Sequence, residues 1–255
     1  MLALAAELTE ALRLPALAVA TAFFRVTGLM LFLPGLGERA VPARVRLAAA
    51  AALAAVLGPL MPPAAVPAQI GPGLIAAEIA TGAAFGAVLR MLAAALLVAG
   101  TIAAQATSLS QLFGVPGAEP SSALGTTLHL AGLALILASG LPLYVVEMLL
   151  RSWEVVPPGL VPAAADATEW GVARMGEAFA LALALATPFV VVSMIYNLTL
   201  GVLNKAMPQL MVALVGAPAI TGLALIVLAA CAPLILDTWR LRMEGALIDP
   251  LAPLP

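Results

Sequence analysis

Charged residues are unusually few in this sequence. Only 9% of its 255 residues are charged, against about 25% in an average soluble domain, whereas 64% are apolar. Eleven basic and thirteen acidic side chains cannot cover the surface of a soluble globule of this length. The composition therefore excludes a soluble globular protein, and the high hydrophobicity excludes a disordered chain.

Histidine and cysteine are nearly absent as well. His129 and Cys231 are the single representatives of their types, too few for a zinc or haem ligand set. His129 and Ser139 on one helix would face directions about 80° apart and lie about 15 Å from each other. The sequence has no G-x-S-x-G motif and no nucleotide-binding glycine motif. We therefore expect no enzyme, no bound cofactor and no bound metal, and the lack of a basic run predicts no nucleic-acid partner.

Apolar runs dominate what is present. They consist of alanine–leucine blocks without two-residue alternation, which favours helices over strands. A helix needs about 20 apolar residues to cross the hydrocarbon core of a bilayer. Glycine- and proline-containing or charged stretches separate runs at residues 14–33, 47–61, 74–110, 123–150, 178–203 and 209–236. The predicted fold class is all-α, a polytopic membrane-type protein whose roughly six apolar segments form hairpins of kinked helices.

Two of these runs carry signals for unusual geometry. The third is too long for one ordinary span, so it is either a helix that projects beyond the membrane or a bent hairpin. In the fourth run, Gly140 and Pro142 predict a kink, because proline removes a backbone donor and clashes with the preceding turn.

Helix boundaries in the last third of the chain are also predicted. Asp166 and Glu169 have capping-box spacing, which places the start of a helix at Ala167. From Asp237 onward the chain begins as an amphipathic turn and ends rich in proline, and we expect a frayed tail there.

Four charges lie inside the apolar runs: Arg25, Glu78, Arg90 and Glu147. Such groups are costly in lipid and normally face a bundle interior, a water-filled path or a partner. One interpretation is an ion or substrate pathway. The other is structural pairing, of Arg25 or Arg90 with Glu78 or with a charge on another subunit.

Small residues are the other repeated signal. Gly82-x-x-x-Gly86 would let two helix backbones approach closely, although ordinary packing explains the spacing in so alanine-rich a chain. Abundant alanine and glycine predict many close helix contacts, which lipid-facing surfaces do not require. Basic residues are almost evenly divided between the two sides of the expected membrane, so they predict no orientation. Both observations fit a subunit held by partner helices.

A polar segment at 105–122 contains glycine and proline and carries an apolar tip, Leu112-Phe113. It is either a surface loop or a pore-occluding segment, since a hydrophobic tip on a flexible hinge can block a channel and withdraw.

Three stretches resemble one known family. Residues 24–46 (FRVTGLMLFLPGLGERAVPARVR) and residues 197–212 (NLTLGVLNKAMPQLMV), followed by Gly216-Ala-Pro218, are similar to sequence blocks of the FliR/SctT family of type III secretion export-gate proteins. A weaker match is residues 153–159 (WEVVPPG). The matches follow the family's order over nearly the whole chain.

The resemblance implies a structural role. Members of this family join several copies of FliP and FliQ around the channel through which unfolded export substrates pass, with FlhB and FlhA attached. A single export-gate domain at 1–255 is then expected, with a P-like half at 1–150 and a Q-like helical hairpin half at 151–255. The implied location is the bacterial inner (cell) membrane, in the flagellar basal body.

The resemblance also assigns candidate residues. The segment after the long third helix would plug the closed channel, here through Leu109, Gln111, Leu112, Phe113, Gly114, Val115, Pro116 and Gly117. Residues predicted to contact neighbouring subunits are Arg25, Arg39, Arg44, Arg46, Glu78, Gly82, Gly86, Arg90, Asn204, Lys205 and Gln209. The alternative function is a stand-alone six-helix transporter of a small solute, which requires an acidic site near the middle of the membrane.

Overall fold

The computed structural model describes residues 2–38, 41–107, 123–206 and 212–251, and for residues 2–12, 204 and 212–218 only their helical backbone. The described residues form helices and turns without a β-strand, so the all-α prediction is confirmed. The helices are α1 (Leu2–Met30), α2 (Ala43–Leu57), α3 (Pro72–Ala106), α4 (Ala123–Ala138), α5 (Leu141–Val155), α6 (Ala164–Ala206) and α7 (Val212–Ile248). Two 3₁₀ turns, Gly58–Leu60 and Pro63–Ala65, lie between α2 and α3.

The third apolar run is one helix. α3 continues for 35 residues, without the bend that a hairpin would need. At about 1.5 Å per residue it is about 50 Å long, more than the roughly 30 Å of a bilayer core. Of the two geometries that the sequence left open, the structure adopts the long helix.

The predicted kink in the fourth run is confirmed. α4 ends at Ala138, α5 begins at Leu141, and the two helices are bent by 73°. Gly140 supplies the break with a positive φ of 94°, which costs glycine little because it has no Cβ. Pro142 lies in the first turn of α5, where a backbone N–H would have no partner within the helix.

Two helix boundaries differ from the prediction. α6 begins at Ala164, three residues before the predicted start, so Asp166 lies in its first turn instead of capping it. The tail is helical well beyond Asp237, since α7 continues to Ile248. Its extension is stabilised because Trp239, Met243 and Leu247 are buried, a packing effect that local sequence does not reveal.

The described helices have the length and apolar composition of membrane-spanning helices. Five of them contain segments long and apolar enough to cross one: Arg13–Met30, Ala43–Leu60, Pro72–Ala106, Ala164–Leu203 and Ala219–Ile248. The bent pair α4 and α5 adds a sixth if it counts as one span. This agrees with the six apolar segments expected from the sequence.

The chain divides into two compact units. The first comprises Met1–Met91, Leu137–Arg174 and Met243–Pro255. In it α1 packs against α2, and its backbone meets that of α3. The second comprises Leu92–Ile136 and Met175–Arg242, where α3 and α4 meet at backbone distance.

Candidate functional site

Arg25 of α1 and Glu78 of α3 form a buried ion pair in the first unit. Arg25 Nε donates to Glu78 Oε2 at 2.8 Å, and Arg25 Nη2 donates to Glu78 Oε1 at 3.0 Å. This two-bond arrangement suits the planar guanidinium and the carboxylate, and lysine could not reproduce it. The pair therefore fixes the rotation of α1 relative to α3 at this level.

Other polar groups complete the cluster. Arg25 also donates to Ser152 Oγ at 2.9 Å and to the Val156 carbonyl oxygen at 2.8 Å. Glu78 also accepts from Trp153 Nε1 at 3.4 Å and from the Gly159 backbone N–H at 3.2 Å. The Arg25 guanidinium lies 5.4 Å from the centre of the Trp153 ring, within reach of a cation–π interaction. The pair thus connects α1, α3, α5 and the connection that follows α5.

The sequence left two interpretations of the buried charges open, an ion or substrate pathway and structural pairing. The contacts of Arg25 and Glu78 distinguish between them. A buried charge is tolerated when it is paired and its remaining hydrogen-bonding groups are used. Arg25 uses its three nitrogens, and both Glu78 oxygens accept hydrogen bonds. The structure therefore pairs Arg25, and not Arg90, with Glu78, and the pair lies within one chain.

The other two charges in the apolar runs are partly exposed. Arg90 is 3.9 Å from the carboxylate of Glu38 and donates to the Gly37 carbonyl oxygen at 3.4 Å, both at the α1–α2 connection. Glu147 accepts from Arg151 at 2.8 Å, one turn further along α5. Exposed pairs of this kind contribute about 0–1 kcal/mol to stability.

Gly82 and Gly86 face α1 at backbone distance. A Cβ at Gly82 would overlap the carbonyl oxygen of Arg25, and one at Gly86 would lie 2.6 Å from the carbonyl oxygen of Leu29. Gly28 on α1 completes the contact, since its Cβ would overlap the Ile79 carbonyl oxygen. The close approach is what brings Arg25 within reach of Glu78. Whether these residues also contact other subunits stays a prediction.

Two polar contacts in the second unit reach the middle of α3. Trp239 of α7 is buried and donates from Nε1 to the Leu92 carbonyl oxygen of α3 at 2.7 Å. His129 of α4 donates from Nδ1 to the Ala93 carbonyl oxygen at 3.0 Å. Both acceptors are in the middle of α3, where each carbonyl has a second lone pair to offer. A lone histidine or tryptophan in an apolar run gives no signal of its partner, so sequence reasoning missed both contacts.

The end of α3 is held by α6. Ser193 is buried and donates from Oγ to the carbonyl oxygen of Ala106, the last residue of α3. Asn197 donates to Ser193 Oγ at 3.3 Å from one turn further along α6. The last carbonyls of a helix have no partner within it, so Ser193 satisfies one of them. Ala106 therefore lies at the start of segment 105–122, which is expected to plug the channel.

Several predicted site residues lie outside the described part of the chain. These are all eight plug residues (Leu109, Gln111, Leu112, Phe113, Gly114, Val115, Pro116 and Gly117), Arg39, Gln209 and the side chain of Asn204. Of the remaining subunit-contact candidates, Arg44 and Lys205 are exposed and Arg46 is half-buried. Arg44 and Arg46 lie in the first turn of α2, and Lys205 lies in the last turn of α6.

Large apolar side chains are exposed along α6. Within residues 194–203 no side chain is buried, and Met194 and Leu198 are 73% and 71% exposed. Ile195, Val202 and Leu203 are exposed as well, and at about 100° per residue these five side chains cover about half of the helix circumference. An exposed apolar face of this width needs lipid or other helices against it.

The described residues contain no cluster of three or more histidine, cysteine, aspartate or glutamate side chains that could hold a metal ion. What the geometry offers is packing: a buried ionic cluster, close glycine contacts and exposed apolar helix. These features define a membrane-embedded helical protein.

Residues 16–246 match the family model described as bacterial export proteins, family 1. Because the match covers most of the sequence, the chain belongs to this family. The resemblance seen in the sequence is thereby confirmed.

Three curated relatives narrow the family to flagellar export. Each is named flagellar biosynthetic protein FliR. The protein of Caulobacter vibrioides is 32% identical over 222 residues, covering 82% of this chain and 86% of the relative. The protein of Aquifex aeolicus is 30% identical, covering 85% of each chain. The protein of Escherichia coli is 29% identical, covering 83% of this chain and 82% of the relative. This chain is thus a membrane-embedded component of flagellar protein export, and none of the three names states an enzymatic activity.

Proposed function

We propose that this chain is a channel-forming structural subunit of the flagellar type III export gate. It assembles with FliP-like and FliQ-like subunits, and FlhB-like and FlhA-like proteins attach to that core. Unfolded export substrates pass through the channel, which lies in the inner membrane within the flagellar basal body. Residues 1–150 correspond to the P-like half and residues 151–255 to the Q-like half of one gate domain.

The observation that carries the proposal is the exposed apolar surface of α6 at residues 194–203. Lipid alone could cover such a helix. However, the same stretch contains Asn197 and Gly201, a hydrogen-bonding group and a small residue of the kind that packs at helix–helix interfaces. Partner helices would therefore cover it better than lipid. The predicted contacts at Asn204, Lys205 and Gln209 follow directly after it in the sequence.

Plugging of the closed channel is the second part of the proposal. The plug would be formed within residues 105–122, with Leu112 and Phe113 as its apolar tip. Its support is the hydrogen bond from Ser193 to the Ala106 carbonyl oxygen, which fixes the helix end from which the segment departs. A plug needs such a fixed base, because its tip must return to the same place in the channel.

The rival function, a stand-alone small-solute transporter, needs an acidic group free to bind a proton or an ion. Glu78 is the buried carboxylate among the described residues, and its oxygens accept from Arg25, Trp153 and Gly159. A carboxylate so occupied is a poor transport site. This favours the gate.

Co-expression tests the proposal. The chain is produced alone and together with FliP-like and FliQ-like proteins of the same organism, extracted in detergent and examined by native mass spectrometry. We expect a hetero-oligomer in the second case and an unstable or aggregated chain in the first. A stable lone protein that moves a small solute into liposomes would overturn the proposal.

A further inference from the structure

An exposed apolar turn joins α5 to α6 in the first unit. We call residues 155–163 the 155–163 turn; it contains Pro157, Pro158 and Gly159 and no charged residue. Val155, Leu160 and Val161 project large apolar side chains from it into the surroundings. The surface is therefore apolar from the last residue of α5 through the connection to α6.

Two buried charged side chains hold the backbone of this turn. Arg25 Nη2 donates to the Val156 carbonyl oxygen at 2.8 Å, and the Gly159 N–H donates to Glu78 Oε1 at 3.2 Å. Gly159 has a positive φ of 77°, a conformation that other residues rarely adopt. Proline at 157 and 158 removes further freedom. The turn is thus fixed before anything binds to it, which lowers the entropy cost of binding.

Acidic side chains flank the 155–163 turn on both sides. Glu154 precedes it, and Asp166 and Glu169 follow in the first turns of α6; all three are exposed. None of them forms an ion pair within the described ranges. Between residues 152 and 173 there is no basic residue at all. The charged residue nearest to the turn along the chain is therefore acidic on each side, Glu154 before it and Asp166 after it, and we call Glu154, Asp166 and Glu169 the acidic rim.

We propose that the 155–163 turn is a docking surface for a segment of another protein that is apolar at its centre and basic at its edges. The apolar side chains would bury against the centre of that segment, and the acidic rim would select its basic residues. Anionic lipid headgroups would be repelled by the same rim. The inference concerns a different surface from the plug and from residues 194–203. It can therefore be tested independently of the proposed function.

Photo-crosslinking in cells tests this inference. A photo-crosslinking amino acid replaces Val161 in the full-length chain, in a strain that carries the complete export apparatus. In the control strain it replaces Val172 of α6, which is similarly exposed at 66% against 71%. We expect Val161 to give a protein adduct whose crosslinked peptide, sequenced by mass spectrometry, contains both apolar and basic residues.

Charge reversal then tests the role of the rim. Glu154→Lys and Glu169→Lys should each lower the adduct yield at Val161 by about tenfold, since like charges then meet across the interface. Asp237→Lys, at an exposed carboxylate of α7 outside the rim, should leave the yield unchanged. The inference is overturned if Val161 gives only lipid adducts, adducts to a second copy of the chain or no adduct. It is equally overturned if reversal at the rim has no more effect than reversal at Asp237.

Discussion

Arg25 and Glu78 meet through two hydrogen bonds of 2.8 and 3.0 Å although 53 positions separate them in the sequence. Their side chains are 0% and 1% exposed. Neither charge could be buried there without the other, because an unpaired ion in an apolar interior costs several kcal/mol. The contact therefore couples the placement of α1 to that of α3.

Removing one member of this pair should be more damaging than removing both. Arg25→Met leaves the Glu78 carboxylate buried without its cation, and we expect a loss of about 3–5 kcal/mol. The double variant Arg25→Met with Glu78→Leu should unfold at a higher temperature than either single variant, as measured by thermal scans of the detergent-solubilised protein. Arg151→Ala, which breaks an exposed pair, is the control and should change stability by less than about 1 kcal/mol. A double variant less stable than both single variants would contradict this account.

The glycine contact between α1 and α3 should be intolerant of a single methyl group. Gly82→Ala places a Cβ on the carbonyl oxygen of Arg25, so the helices must separate and the buried pair must lengthen. We expect a loss of about 1–3 kcal/mol or more in the same thermal scans. Gly176→Ala in α6 is the matched control, because nothing lies within 4 Å of its Cβ position. It should be neutral or stabilising by up to about 1 kcal/mol through helix propensity.

Trp239 should stabilise the second unit by both its hydrogen bond and its volume. Trp239→Phe removes the N–H that reaches the Leu92 carbonyl oxygen, at a cost of about 0.5–1.5 kcal/mol. Trp239→Ala also leaves a cavity and should cost about 3–5 kcal/mol. Leu241→Ala, at an exposed position on the same helix, should stay within about 0.5 kcal/mol of the parent. Equal melting temperatures for the parent and the two Trp239 variants would refute this role.

The plug proposal predicts that ions leak through the gate when the apolar tip of the plug is removed. Replacing Leu112 and Phe113 with serine should raise ion conductance through the gate, because a polar tip no longer excludes water from a constriction. Conductance is measured on the co-expressed complex in planar bilayers. Replacing Ser121 and Ser122 with alanine alters the same segment without touching its apolar tip and should leave conductance low. If deletion of residues 111–117 also leaves it low, the segment is not a plug.

Much of the fold could be predicted because the sequence patterns that indicate it extend over neighbouring residues only. Run length and composition placed the apolar segments, and Gly140 with Pro142 placed the bend between α4 and α5. Two helix boundaries were predicted wrongly. Asp166 has the spacing of a capping residue, yet α6 starts before it at Ala164. α7 continues to Ile248 because Trp239 and Met243 are buried, which no property of the tail sequence indicates.

For the candidate site, the sequence predicted which residues are unusual but not which of them contact each other. The sequence marked Arg25, Glu78 and Gly82 as unusual, since charges and glycines are rare and costly inside apolar helices. It could not choose between Arg25 and Arg90 as the partner of Glu78. That choice depends on how each helix is rotated about its axis, and the rotation follows from the close contact at Gly82.

The amino-acid sequence by itself determined that this protein is helical, membrane-embedded and built for close helix contacts, because hydrophobicity, helix breaks and small residues act over one or two turns. Only the tertiary structure decided which helices meet and which polar groups they share. The carbonyl of Val156 and the N–H of Gly159 are backbone groups present in nearly every residue, so nothing in the sequence distinguishes them. They acquire a role only where the folded chain brings them to Arg25 and Glu78.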